Sequence, residues 1–240
     1  MTNRTAAERA SRAGPRGALS APALAGVGYS VAWIASQLTG APNPSIAAPG
    51  TRLVASFAGH GGSVLAMFVL AEGVAAVALT LVVVFVARAA RQPGTRQAAR
   101  LAAMTAAGFG IASAVVSLTE LGLGAWLFGT LLPQRRTATF GTAYHALTRL
   151  DGAKMFLLAA MAVALSAVAI SAPILPRWLA PIGFLLGAGL VVSGLGWVLL
   201  APGLANSVYV SGILLLVFVT ATGVTLGLRA AGPAPGWEES

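Results

Sequence analysis

Three carboxylates stand out because of what surrounds them. Glu72, Glu120 and Asp151 lie in or at the edge of long apolar stretches, where an ionisable side chain is costly and is a functional candidate by default. A carboxylic acid kept protonated by apolar surroundings can donate that proton to an alkene or an epoxide. Glu72 or Glu120 is therefore expected as a general acid with Asp151 as its partner. Polar groups fit to hold a substrate accompany them. His60 opens one apolar stretch, Arg149 follows His145 by four residues, and Lys154 follows Asp151 by three, spacings that place each pair on one helical face. Tyr144, Thr148 and Asp151 share a face by the same rule. His60, Tyr144, His145, Arg149 and Lys154 thus form the expected substrate-binding set.

Each of these residues also has a structural reading. Asp151 and Lys154 read first as an ion pair at the membrane interface, because charged side chains at helix ends snorkel towards water. His60 and His145 read as interfacial residues. The two histidines lack metal-ligand spacing and the chain has no cysteine, so neither a metal nor a cofactor is expected. Glu120 has a reading in which it reaches the headgroups, and Glu72 one in which it hydrogen-bonds a neighbouring helix. The glycines around His60 lack the strand and the lysine of a phosphate-binding loop.

The elements that must position these groups are membrane spans. Hydrophobic residues make up 57% of the 240, charged residues 9%, and mean hydropathy is +0.84, whereas a soluble domain carries about 25% charged residues. A bilayer requires every backbone polar group to be satisfied internally, and continuous apolar runs select helices over barrels. A span needs roughly 20 apolar residues to cross a core of about 30 Å. That ruler predicts helices over Leu19 to Leu38, Gly62 to Ala87, Leu101 to Leu131, Met155 to Ala172, Trp178 to Leu200 and Val208 to Leu228. The expected architecture is an all-α polytopic bundle of about six transmembrane helices, the first an uncleaved signal anchor. Residues 1–18 form a basic tail, 19–228 the membrane domain, and 229–240 a disordered tail.

The net charge of +9 sits between the apolar runs. It therefore reads as topology signals and contacts with anionic headgroups, and not as a nucleic-acid footprint, which is contiguous. With the amino terminus inside, ten arginines fall in cytoplasmic segments (Arg4, Arg9, Arg12, Arg16, Arg88, Arg91, Arg96, Arg100, Arg177, Arg229) against five basic residues outside (Arg52, Arg135, Arg136, Arg149, Lys154). Both termini are expected in the cytoplasm. Counted from the inner arginines, Glu72 lies about 24 Å and Glu120 about 30 Å up their helices, so three acids from three helices are expected to meet in the outer half. Gly183 with Gly187 and Gly223 with Gly227 have the spacing of close helix packing, and also offer a surface for a homo-oligomer. The segment Thr39 to Gly61 reads as a loop; Thr142 to Lys154 reads as an outward extension of the fourth helix.

The carboxyl-terminal half, from Leu150-Asp151-Gly152 through Pro176-Arg177-Trp178-Leu179 to Gly183–Gly196 and Tyr209–Leu228, resembles an uncharacterised group of bacterial six-helix membrane proteins, classed as a domain of unknown function. The resemblance implies a helical bundle in the bacterial plasma membrane and carries over no catalytic residue. Three functions are expected to compete. The first is a membrane-embedded cyclase or isomerase acting on a lipidic or isoprenoid substrate through Glu72, Glu120 and Asp151. The second is a non-catalytic scaffold or sensor subunit, and the third a proton-coupled small-solute transporter component.

Overall fold

A computed structural model describes residues 20–231. Arg4, Arg9, Arg12 and Arg16 and most of the expected carboxyl-terminal tail lie outside the described residues. All regular structure among the described residues is helical. The elements are α1 (Ala21–Gln37), α2 (Gly50–Phe57), α3 (Gly61–Ala90), α4 (Gln97–Leu131), α5 (Thr137–Ser171), α6 (Leu179–Val198), α7 (Pro202–Ala205) and α8 (Val208–Ala231). Five helical segments are long and apolar enough to cross a membrane: α3, α4, α5, α6 and the α7–α8 segment.

The packing is that of chains whose outer surface meets lipid. In α1 the buried positions are Ala23, Ala25, Gly26, Tyr29, Ala32 and Ser36, while Leu24, Val31 and Ile34 point outward. In α4 the inner face is Ala99, Ala103, Ala106, Gly110 and Ser113, and the outer face carries Leu101, Met104, Ile111, Val115 and Leu118. Small side chains inside let helices approach closely, and lipid places no penalty on the large ones outside. The six long helices form a closed ring in the order α1, α3, α4, α5, α6, α8, with α8 returning to α1.

Glycines set the closest approaches in that ring. A Cβ at Gly223 would fall 2.6 Å from the Pro22 carbonyl and 2.8 Å from Gly26 Cα, so α8 and α1 touch backbone to backbone. Gly183 lies against Ser166 of α5 and Phe218 of α8, and Gly187 against Val163 of α5. The spaced glycines expected to offer an oligomer surface therefore pack within the chain. At the α5–α6 crossing Gly152 faces Gly194, each a Cβ-distance of 2.9 Å from the other's carbonyl.

Two segments differ from the sequence expectation. Residues 39–61 are not all loop: after Pro49, α2 forms with Leu53, Val54 and Phe57 buried on one face, an amphipathic turn that the Pro, Gly and Ser around it obscure. The expected span at Met155 begins instead at Thr137, so α5 runs for 35 residues, or about 52 Å at 1.5 Å per residue. The sequence predicts this extension only from Thr142; α2 packs on its first turns, where Gly50 meets Thr137 and Gly141.

Candidate functional site

The carboxylates converge on one cation. Lys154 Nζ lies 2.7 Å from Glu72 Oε2, 2.5 Å from Glu120 Oε2 and 2.7 Å from Asp151 Oδ1. The three acids come from α3, α4 and α5, and their oxygens lie within 4.8 Å of one another. Asp151 and Lys154 do form the i, i+3 pair that their spacing suggests. The pair is not simply interfacial, however, because Lys154 is only 7% exposed and binds two further carboxylates within the bundle.

Local structure aims each group inward. Glu72 sits in a π-helical segment, Val69–Val74, inserted in α3; such wide turns displace a side chain from its α-helical direction and recur at functional sites. Ser117, one turn before Glu120 on α4, is buried and approaches Glu72. Glu120 is 1% exposed, and while its Oε2 meets Lys154, its Oε1 is buried without a partner. The Gly152–Gly194 contact seats α6 hard against one face of α5, and Lys154, two residues on, projects from nearly the opposite face, towards Glu72 and Glu120 of α3 and α4. Tyr29 of α1, 5% exposed, lies within electrostatic reach of Lys154 and Glu72. The accessible edge of the cluster is at Glu72 and Asp151, whose side chains are 17% and 23% exposed against 2% for Glu120.

The rest of the expected substrate-binding set stands apart from this centre. His60 is exposed at the start of α3 with its Nδ1 on the Ala58 carbonyl. His145 Nε2 meets the Ala48 carbonyl at 3.1 Å and so ties α5 to the segment before α2. Arg149 is exposed, and among the described residues the three acids pair with Lys154 alone. Tyr144 is near enough to Asp151 to feel its charge, but its ring belongs to an aromatic cluster with Phe57, Phe128 and Phe140, at centroid distances of 5.0 to 6.4 Å. That cluster lies beyond the carboxylates: Phe128 follows Glu120 by eight residues and Tyr144 precedes Asp151 by seven. It caps the polar centre from the α2 side.

Three clustered carboxylates are a donor set that suits a divalent cation, but here an ammonium already stands among them, and a metal ion would have to displace Lys154. Two cavities lie elsewhere. One, of about 570 Å³, is apolar and opens sideways between α5 and α6, lined by Phe156, Val163, Gly187 and Val191 among others. The other, of about 1160 Å³, lies at the opposite end of the bundle from the aromatic cap, among the α3–α4 and α5–α6 connections. Comparison with protein-family models, with curated proteins and with solved structures finds no match to this chain.

Proposed function

We propose that the protein is a proton-exchanging component of a small-solute transport system in a bacterial plasma membrane, with Glu72, Glu120, Asp151 and Lys154 as the proton-binding centre. The observation that carries this reading is one lysine shared by three carboxylates inside helices long and apolar enough to cross a membrane. One ammonium balances one carboxylate. Two uncompensated charges in a low-dielectric interior would each cost several kcal/mol, so two more positive charges are needed, and protons supply them without opening the ring. A centre that holds protons by charge balance releases them when its surroundings become wetter or its helices shift. The π-helical turn at Glu72 and the partly exposed Glu72 and Asp151 are the means of access. Intramembrane acids paired with a base are the usual parts of proton relays.

The same proposal takes the bundle as six spans with both termini in the cytoplasm. Two observations support it: α1, at 17 residues, closes the helix ring and carries the same small-in, large-out pattern as the longer helices, and the arginines are more numerous at one end. The bacterial setting rests on the resemblance of the carboxyl-terminal half. The cyclase or isomerase reading would require an apolar cavity ending on one of the acids. Both cavities described above open elsewhere, and for that reason proton exchange is preferred.

The test is infrared difference spectroscopy on the protein in lipid through a pH jump. The expected result is a carboxylic-acid carbonyl band that changes with pH and is altered in Glu120→Gln and Glu72→Gln. A folded protein with no such band, or with a band that both variants leave unchanged, overturns the reading. Solute-dependent proton flux in proteoliposomes then separates a transporter from a scaffold.

A further inference from the structure

The end of the bundle away from the carboxylates carries a second electrostatic anomaly. The cavity of about 1160 Å³ is rimmed by Arg88, Arg96, Arg177 and Arg229, contributed by the end of α3, the α3–α4 connection, the α5–α6 connection and the end of α8. All three acids among the described residues are bound to Lys154 in the other half, so among the described residues these four guanidinium groups face one space without a carboxylate partner.

Two of the four have a local explanation and two do not. Arg88 and Arg229 lie in the last turns of α3 and α8, where a cation is stabilised by the negative end of the helix dipole. Arg96 is the N-cap of α4, and Arg177 immediately precedes the N-cap of α6. There a cation meets the positive end of the dipole, which is unfavourable, and at neither helix does a side chain cap the first-turn amides. The cavity is also lined by the C-terminal turns of α3, α5 and α8, but at α4 and α6 a cation added to a positive helix end is the arrangement that an anion stabilises. The rim is also braced rather than loose. Arg100 Nη2 donates to the Gln92 carbonyl at 3.0 Å across the turn that Gly94 makes at φ 83°, and Pro173 and Pro176 restrict the other connection.

We propose that this cavity is a binding site for a phosphate-bearing anion, with Arg96 and Arg177 as its principal contacts and Arg88 and Arg229 closing it. Guanidinium groups suit the role because their planar donors match phosphate oxygens in pairs. The phosphate has two possible carriers: a lipid headgroup entering between helix ends, or a soluble phosphate.

The full chain in neutral detergent is titrated with phosphatidylglycerol, with inorganic phosphate, and with chloride at matched ionic strength, and its thermal midpoint is followed. The site predicts a saturable rise with phosphatidylglycerol, with inorganic phosphate or with both, exceeding that with chloride. Arg96→Gln and Arg177→Gln should each weaken the response about tenfold, the effect of losing one charge-assisted contact of about 1.4 kcal/mol. Arg52→Gln and Arg135→Gln, near the other end, should not change it. A rise with phosphatidylglycerol alone assigns the site to a lipid headgroup; a rise with inorganic phosphate assigns it to a soluble ligand. An equal response to chloride, no response from either phosphate, or a response that Arg96→Gln and Arg177→Gln leave intact overturns the proposal.

Discussion

The two ends of this bundle treat charge in opposite ways. At the carboxylate centre Lys154 gathers Glu72, Glu120 and Asp151 into one buried unit, with every charge in contact with its opposite. At the arginine end Arg88, Arg96, Arg177 and Arg229 surround a cavity and meet no acid among the described residues. Among the described residues the buried unit is short of positive charge and the open one short of negative charge. Protons complete the first and an anion the second. The energetic consequences differ with depth, because burial magnifies an unpaired charge and solvent screens it.

The comparison breaks most visibly at Lys154. Lys154→Met leaves three carboxylates around an apolar tip, and removing one partner of a buried ion pair costs about 3–5 kcal/mol. The measurement is denaturant unfolding in mixed micelles, followed by helical circular dichroism. Adding Glu120→Gln to Lys154→Met should recover part of the loss, since one of the stranded charges is gone. An unfolding free energy for Lys154→Met equal to wild type would mean that Lys154 does not hold the three acids together as an ion-paired unit. The same change at the other end, Arg88→Met, should move stability little, because an exposed cation at a helix end contributes only about 0.3–1 kcal/mol.

The next effect sharpens the geometry of the buried unit. Gly152→Val adds side-chain atoms where a Cβ alone would lie 2.9 Å from the Gly194 carbonyl and from Val198. Overpacking of this kind costs about 1–3 kcal/mol. It should also rotate α5 and so disturb the lysine cluster, giving coupling between Gly152→Val and Lys154→Met in a double-mutant cycle. Purely additive losses would show that the glycine crossing only packs helices. Gly108→Val, where a Cβ meets nothing within 4 Å, is the control and should be nearly neutral.

What could be read from residues alone follows the range of the physics involved. Spans are legible because length and continuous apolarity are properties of one segment, so the helix starts at Gly61 and Val208 fall within a residue of expectation. The convergence of the three acids at one level is legible as well, because helical rise converts residue number to position along each helix. Lys154 as the hub is not legible: counting along one helix reveals its pair with Asp151 and is blind to Glu72 and Glu120, which arrive from other helices. Ser117 and Tyr29 are missed for the same reason, as they look like ordinary members of small or apolar faces. The short helix α2 is hidden by its Pro- and Gly-rich flanks, although Leu53, Val54 and Phe57 hold the one-sided spacing that marks it. His60 and Arg149 share the level of the acids in sequence, and the structure leaves both exposed and outside the ion pairs of Lys154.

A third substitution separates charge from shape in the buried unit. Glu120→Gln keeps the size of the side chain and removes one of the negative charges that Lys154 cannot balance. The loss of one charge-assisted contact and the relief of repulsion oppose each other, so the net change should be within about 1 kcal/mol. A loss as large as that of Lys154→Met would mean that Glu120 is the one ionised carboxylate that Lys154 balances, and would remove it from the proton-exchanging groups.

The smallest effect is the one that reads the arginine end most directly. Arg96→Ser removes a cation from the positive end of the α4 dipole and supplies an N-cap oxygen where no side chain serves at present. In a neutral detergent without added phosphate both changes favour the helix, and the variant should be more stable than wild type by about 0.5–1 kcal/mol. With phosphatidylglycerol or inorganic phosphate present the wild type gains from the anion and Arg96→Ser does not, so the difference should shrink or change sign. A gain that stays constant whether or not phosphate is present would assign Arg96 to topology alone. A gain that vanishes with phosphate identifies an arginine kept at a helix start, against the local electrostatics, for a ligand.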